Sequence, residues 1–324
     1  MPSDVPVVVL IPVFDDWTAL SLLLPRLARV LPTLGAPVGL LIVDHGSNEP
    51  AGDALIPAGS QFAWARILRL RRNLGHQRAI AIGLCHIDEH IPCEAVIVID
   101  GDGEDRPEDV PRLLARMREG RMPCVVFGER RRRVEGISFR IFYLLYRLLH
   151  WVLTGRGVRV GNFSAVPRAR LESLVVVSEL WVHYAAAVLR SRQPTAFVPV
   201  ERDRRLHGAS KMNFVALVLH GLGAISVYSD VVFTRIIAAM TGLALVAVCA
   251  MAAMVGIRLF SSLAIPGWAS FAMGILLVVL LQTVTNAVSL VFVILGARQQ
   301  SVVIPRRDYS HYVATVLDAA TPAR

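Results

Sequence analysis

The sequence predicts an α/β layer domain with a mostly parallel sheet, followed by a transmembrane hairpin of two helices. Three observations predict it. From residue 5 to about residue 200 short β-branched runs alternate with longer helical ones, the pattern of strands joined by crossover helices. Two long runs near the C-terminus carry no charge. Polar clusters, "PVFDDW", "VDHGSNE" and "DGDGEDRPED", follow the first, second and fourth strands of the series, where open parallel sheets bind ligands.

In chain order, strands are expected at 7–12, 38–44, 66–70, 94–100, 124–128 and 196–201, with helices between them at 18–31, 77–90, 107–119 and 180–192. The segment 137–153 is rich in Phe, Tyr, Leu and Trp, with Arg140, Arg147 and His150 on its remaining face. It reads as an amphipathic helix lying in a membrane interface, as does 213–233, which runs into the first span. That span is 236–257, 22 residues without a charge and about 33 Å long as a helix, enough for a hydrocarbon core of about 30 Å. The second is 268–297, separated from it by a stretch holding Arg258, Pro266 and Gly267. Arg235, Arg298, Arg306 and Arg307 flank the inner ends against Arg258 alone outside, which orients both termini toward the cytoplasm. The division expected is an α/β domain at 1–210, a juxtamembrane region at 211–235, two spans within 236–297 and a cytoplasmic tail at 298–324 that is short, polar and loosely ordered after Ile304.

Composition agrees with a membrane part. Of 324 residues 54% are hydrophobic and the mean hydropathy is +0.53, too apolar for a purely soluble protein. The start lacks the basic, apolar and small-residue regions of a secretory signal, which places the domain before the spans in the cytoplasm, at the cell inner membrane. Net charge is +9, and of the 34 basic residues only Lys211 is a lysine. Beside two spans, anionic headgroups or phosphorylated substrates are more economical partners than nucleic acid, and no nucleic-acid partner is expected. Cys85, Cys93, Cys124 and Cys249 form no CxxC pair, so neither a disulfide framework nor a zinc site is indicated.

Asp100, Asp102 and Glu104 alternate; on an extended strand end they project to one side and suit a hard cation, Mg²⁺ or Mn²⁺. An EF-hand is excluded, because Asp105 stands at the turn position that requires Gly and Pro111 at the position that requires Glu. Asp105, Glu108 and Asp109 also suit the start of the helix near Pro107. There is no GxxxxGK[ST], and "GRGVRVG" does not fit GxGxxG. "HIDEH" satisfies the HxxEH pattern of inverted zinc peptidases through His86, Glu89 and His90; the commoner alternative is a helix C-terminus whose histidines complement the dipole.

"IPVFDDW", "LIVDHGS", "RNLGHQRAIAIGL", "VIDGDGEDRPEDV", "VVFGER", "GNFSAVPR" and "RRLHGASKM" occur in the order and spacing of family 2 glycosyltransferases. With two C-terminal spans the chain more narrowly resembles those that use dolichol or undecaprenyl phosphate, over residues 6 to about 298. The resemblance implies a GT-A fold, a nucleotide-sugar donor and a polyprenyl phosphate acceptor. It implies that Pro12, Phe14 and Asp16 line the nucleoside, and that Asp44 contacts the base. Asp100, Gly101 and Asp102 match the D-x-D motif around the diphosphate, with Asp102 and Glu104 at the metal positions. Arg130, Arg205 and Lys211 match basic residues facing the diphosphate or the acceptor phosphate.

Three positions depart from the family pattern: His45 replaces the second acid of D-D-G-S, Glu104 the Gln of D-x-D-L-Q-D, and Asn162 the Asp of G-D-F-R. The last removes a candidate catalytic base. A sugar hydroxyl acceptor needs one, whereas a phosphate monoester already carries about −1.5 to −2 charges at pH 7. Asn162 therefore favours a phosphate acceptor, or else marks a weakened enzyme; the first is the expectation here. The expected reaction is an inverting transfer of one sugar to polyprenyl phosphate, with another membrane lipid acceptor, a zinc peptidase or a non-catalytic scaffold as alternatives. The sequence leaves the sugar, and a homo-oligomer, open.

Overall fold

Strands covered on both faces are apolar along their whole length, and two such strands stand at the centre of this chain. In the computed structural model, β1 (Val7–Val13) and β2 (Val38–Asp44) are buried at every residue. The structure describes residues 7–35, 37–52, 55–56, 60–120, 122–130, 137–155, 157, 160–208, 214–260, 267–298 and 302–319. The remaining strands are β3 (Phe62–Leu70), β4 (Ala95–Val98), β5 (Val125–Arg130), β6 (Val160–Pro167), β7 (Thr195–Val200) and β8 (Val313–Asp318). They form one sheet in the order β7-β5-β6-β4-β1-β2-β3-β8. Strands β4, β1, β2 and β3 are parallel, as are β5 and β7; β6 runs antiparallel between β4 and β5, and β8 antiparallel beside β3.

The helices cover both faces. Val7, Val9 and Ile11 of β1 join a core with α1 (Trp17–Val30) and α3 (Val110–Glu119), while Val8 and Leu10 join another with α2 (His76–His90), α5 (Arg168–Leu174) and α6 (Tyr184–Arg190). This is the period-2 alternation of a strand read out on two sides. Helix α2 lies close on β1 because Gly83 faces Leu10: a Cβ there would fall 2.4 Å from Leu10 Cδ1.

The tail and the 180–192 segment differ from expectation. Residues 302–319 of the tail are ordered: α10 (Pro305–Asp308) and β8 return to the sheet, and Tyr309 is 3% exposed. Arg306 Nε donates to Asp88 at 2.9 Å, a second arm reaches Glu89, and Tyr309 bonds both Glu89 and His90. That also leaves the zinc-peptidase pattern without a free base, because Glu89 is engaged by Tyr309 and Arg306. The helix expected at 180–192 is broken, a 3₁₀ turn over Ser178–Trp181 preceding α6, whose N-cap is His183.

The chain divides into two compact units, 1–146 with 157–227 and 302–324, and 147–156 with 228–301. The first contains the sheet, the first part of α4 (Ile137–Thr154) and α7 (Phe214–Ser226). The second contains α8 (Ser229–Phe260) and α9 (Trp268–Arg298), both long and apolar enough to cross a membrane and only 6% buried in their most apolar windows. His150, expected on a polar face of α4, is buried; Thr154 and Tyr228 are its neighbours.

Candidate active site

Strand β4 stops at Val98, so the acids after it lie on a turn and not on an extended strand end. Gly103 takes φ +78°, a left-handed conformation open to glycine, and the Glu104 amide donates back to Asp102 Oδ1 at 3.0 Å. The loop after β7 is laid on this turn. Asp203 N donates to Glu104 O at 2.9 Å and Leu206 N to Asp102 O at 3.0 Å, with the Leu206 side chain where a Cβ on Gly103 would stand. The register places two guanidinium groups: Arg205 Nη1 donates to Asp102 Oδ2 at 3.2 Å while its other arm pairs with Asp16, and Arg202 pairs with Glu104. Asp105 bridges to Arg202 through the backbone and is not a helix cap, the cap being Arg106; Glu108 binds Arg26 at 2.9 Å.

Burial, and then the neighbouring Asp100, push the Asp102 carboxyl up to about 6, with Arg205, Arg202 and His76 pulling the other way. A crowded carboxylate of this kind is relieved by a cation.

On the other side of Asp100 stands a polar chain led by α2. The Tyr184 amide donates to Gln77 Oε1 at 2.7 Å, which turns the Gln77 amino group toward Asn162 Oδ1, 3.2 Å away. The Asn162 amino group then faces Asp100 Oδ1 at 3.4 Å and His76 Nε2 at 3.0 Å. His76 Nε2 is 3.0 Å from the same Asp100 oxygen. Burial disfavours a charge on His76, but Asp100, with Asp102 and Asp105 beyond, outweighs it and raises its pKa. Asn162 thus sits beside both the Asp100 carboxylate and the His76 imidazole, with an amino group that can donate to each.

A third group gathers at the ends of β1 and β2. Asp44 Oδ1 accepts from the amides of Gly46 (3.2 Å) and Ser47 (2.8 Å), and its other oxygen faces Arg69 Nε at 3.6 Å, so Asp44 first holds its own turn. Asp15 N donates to Ser47 Oγ at 2.9 Å, and its carboxylate accepts from Asn48 N at 2.7 Å. Phe14 stacks on His45 with centroids 5.2 Å apart and planes 17° apart. His45 is buried, which lowers its pKa to about 4 against the hydrogen bond to Asn73. The stack is a flat, neutral surface.

Of the residues singled out from the sequence, Asp16, Asp100, Asp102, Glu104, Asn162 and Arg205 therefore lie in one connected cluster, and Phe14 and Asp44 share the neighbouring group. Pro12 is in β1 and Gly101 in the acid turn, where a Cβ would approach Ile11 at 3.2 Å. Arg130 is the last residue of β5. Lys211 lies outside the described residues. The sequence assigns no role to His76, Gln77 or Arg202; His76 and Gln77 stand in "RNLGHQRAIAIGL".

Half of the chain, residues 8–169, matches the family profile described as glycosyl transferase family 2. The chain belongs to this family. Among family 2 relatives, the undecaprenyl-phosphate 4-deoxy-4-formamido-L-arabinose transferase of Salmonella paratyphi B is 28% identical over 218 residues, covering 65% of this chain. The chain spans 63% of the length of that curated relative, and the same holds for its counterpart in Salmonella newport. A crystal structure of glucosyl-3-phosphoglycerate synthase from Mycobacterium tuberculosis, in complex with Mn²⁺, UDP and glucosyl-3-phosphoglycerate, superposes with TM-score 0.51 at 16% identity, over 70% of this chain and 80% of that one. A second complex of that enzyme, with Mn²⁺, UDP-glucose and phosphoglyceric acid, gives 0.50 at 17% identity, over 70% and 79%. These likenesses establish the GT-A fold.

Proposed function

We propose that this family 2 chain transfers one sugar from a nucleotide-diphosphate donor to polyprenyl phosphate, with inversion at the anomeric carbon. The observation that carries it is a neutral amide, Asn162, at the site where the family motif has a carboxylate, hydrogen-bonded beside Asp100 and His76. The named relatives, undecaprenyl-phosphate sugar transferases, support the acceptor, and the two long apolar helices support a membrane setting.

The donor's nucleoside fits the stack of Phe14 on His45, with Pro12, Asp16 and Asp44 around it, and its diphosphate fits the acid turn. Asp102 and Glu104, two carboxylates without a third metal-ligating side chain among the described residues, suit Mg²⁺ or Mn²⁺, which take one or two carboxylates and satisfy the rest with phosphate and water oxygens. Such a cation, when bound, neutralises charge developing on the leaving diphosphate. Arg205, with Arg130 and Lys211, supplies further positive charge to diphosphate or acceptor. An oxygen of the acceptor phosphate forms the new bond to the anomeric carbon as the bond to the nucleoside diphosphate breaks, and the electron pair leaves with the diphosphate. No proton is removed from the acceptor in this step.

Strand β8 pairs with β3, so the chain before α8 and the chain after α9 return to one sheet. That supports an even number of crossings, with catalytic domain and termini on one side, and the arginine bias supports the cytoplasmic side of the inner membrane.

The test is transfer of labelled sugar from a panel of nucleotide sugars, with Mn²⁺ or Mg²⁺, into lipid extract from which polyprenyl phosphate has been removed and then restored. Label that enters lipid only when polyprenyl phosphate is present is the expected result. Equal labelling of a diacyl or terpenoid alcohol would overturn it.

A further inference from the structure

Helix α7, "FVALVLHGLGAIS", is apolar apart from Ser226 at its end and one ionisable side chain, His220. Val215 (62%), Leu219 (62%) and Leu222 (50%) are its exposed face. Ala224 and Ile225 are buried on the other side, and His220 is half-buried between the two. An apolar helix that places its single titratable group toward the protein directs that group at something.

The His220 ring lies 4.6 Å from the His183 ring, with planes 35° apart. His183 caps α6, its Nδ1 accepting from Ala186 N at 3.4 Å, and is followed by Tyr184, whose amide fixes Gln77 and through it Asn162. His220 is therefore joined to the catalytic cluster through one short path. It also lies within electrostatic reach of His76 and Asp100: burial and the His76 charge lower its pKa, and Asp100 opposes them. A neutral imidazole carries one N–H, a donor for an anion.

The surroundings fit an amphiphile. Tyr146 of α4 donates its hydroxyl to Gly221 O at 3.3 Å, and Gly221 admits the Tyr146 ring where a Cβ would stand 2.8 Å from it. Beside Tyr146, Leu144 and Leu145 are 64% and 60% exposed. The two helices thus present exposed leucines on either side of a contact that lies next to the histidine pair.

We propose that His220, with His183 stacked against it, binds the phosphate of the acceptor, a phosphomonoester carried on a hydrocarbon chain, which approaches along the exposed apolar faces of α4 and α7. This rests on the proposed transfer to a phosphate acceptor. It adds to it an acceptor residue that lies beyond the motifs shared with the family. A neutral imidazole N–H donating to a phosphate oxygen forms a charge-assisted hydrogen bond.

The test uses the full chain in detergent or nanodiscs, with His220→Ala and His220→Gln beside the wild type. The KM for polyprenyl phosphate is expected to rise about tenfold to a hundredfold in His220→Ala and less in His220→Gln, which keeps an N–H donor. The Kd for the nucleoside diphosphate, measured by titration with Mn²⁺, is expected to stay unchanged and reports that the variants are folded. Inorganic phosphate as a competitor separates headgroup from chain: weaker inhibition of His220→Ala than of wild type is expected, and equal inhibition would overturn a phosphate contact. An unchanged acceptor KM with normal donor binding would overturn the proposal while leaving the transfer reaction intact. A wild type that transfers only to non-phosphorylated lipids would overturn both.

Discussion

Replacing Asn162 by Asp restores the carboxylate of the family motif and, on the present account, damages the enzyme. The Asn162 amino group is 3.4 Å from Asp100 Oδ1, so the variant sets two carboxylates at that distance, where a unit-charge pair repels by about 5 kcal/mol at an effective dielectric of about 20 and by about 1 kcal/mol in bulk water. The incoming phosphate meets the same added charge. The variant escapes part of the penalty by taking up a proton, which from an ordinary Asp pKa of about 3.9 costs about 4 kcal/mol at pH 7. His76, whose Nε2 is 3.0 Å from the same amino group, offsets part of this by taking up a proton, so a loss of about 1–3 kcal/mol follows, or about 5- to 150-fold in kcat/KM for the lipid phosphate. The cost of protonation falls as the pH falls, so the deficit relative to wild type shrinks between pH 7 and pH 5. The assay is lipid-dependent transfer over that range, with nucleoside diphosphate binding as the control. A variant as active as wild type at pH 7, or more so, would show that a base at position 162 helps the reaction and would refute the charge argument.

Gly103→Ala places a Cβ at φ +78° and 2.4 Å from Leu206 Cδ1; it should cost about 1–2 kcal/mol and weaken nucleoside diphosphate binding, as titration would show, because the loop bearing Arg202 and Arg205 must lift from the acid turn. His45, at about 4 in the fold against about 6.5 unfolded, binds a proton more readily in the unfolded chain. Its contribution is therefore present above pH 6.5 and lost as the pH falls toward 4, by at most about 3 kcal/mol; thermal denaturation should show that slope, and His45→Asn should reduce it, with His86, also buried and at about 4, supplying the remainder. Tyr309→Ala removes a ring that is 3% exposed together with the bonds to Glu89 and His90, and should cost about 3–5 kcal/mol. An unchanged melting temperature would mean that the tail does not secure the sheet edge.

The legible part of the fold was the part with strong periodicity. β1 and β2 are continuous apolar runs, and the two long apolar helices are charge-free, so neither needed tertiary context. β6 escaped notice because "VGNFSAVP" mixes Gly, Asn, Ser and Pro; its polar members are satisfied only in three dimensions, Ser164 Oγ lying 2.6 Å from Tyr184 Oη. β8 is an edge strand, largely exposed, and an exposed "VATVLD" near a polar end has little burial pattern to read. In the site, the acids were visible as a cluster, but the turn set by Gly103 was not, nor were the arginines drawn to Asp102 and Glu104 by the register of the 201–208 loop. His76 could not be told from any histidine at a helix start until α2 and β4 met. Asn162 was legible as a departure from a motif; its fixed orientation, through Gln77 and the Tyr184 amide, was not.

The central claim is that the acid turn at Asp102 serves transfer of a sugar to a lipid phosphate. The most direct measurement compares purified wild type with Asp102→Asn for transfer of labelled sugar from a nucleotide sugar to polyprenyl phosphate, with Mn²⁺ present and after its removal by chelator. Wild type with Mn²⁺ is expected to form a labelled polyprenyl phosphate product, with a loss of about two orders of magnitude or more on either perturbation. Full transfer by Asp102→Asn, or a labelled product formed equally well without polyprenyl phosphate, would contradict it.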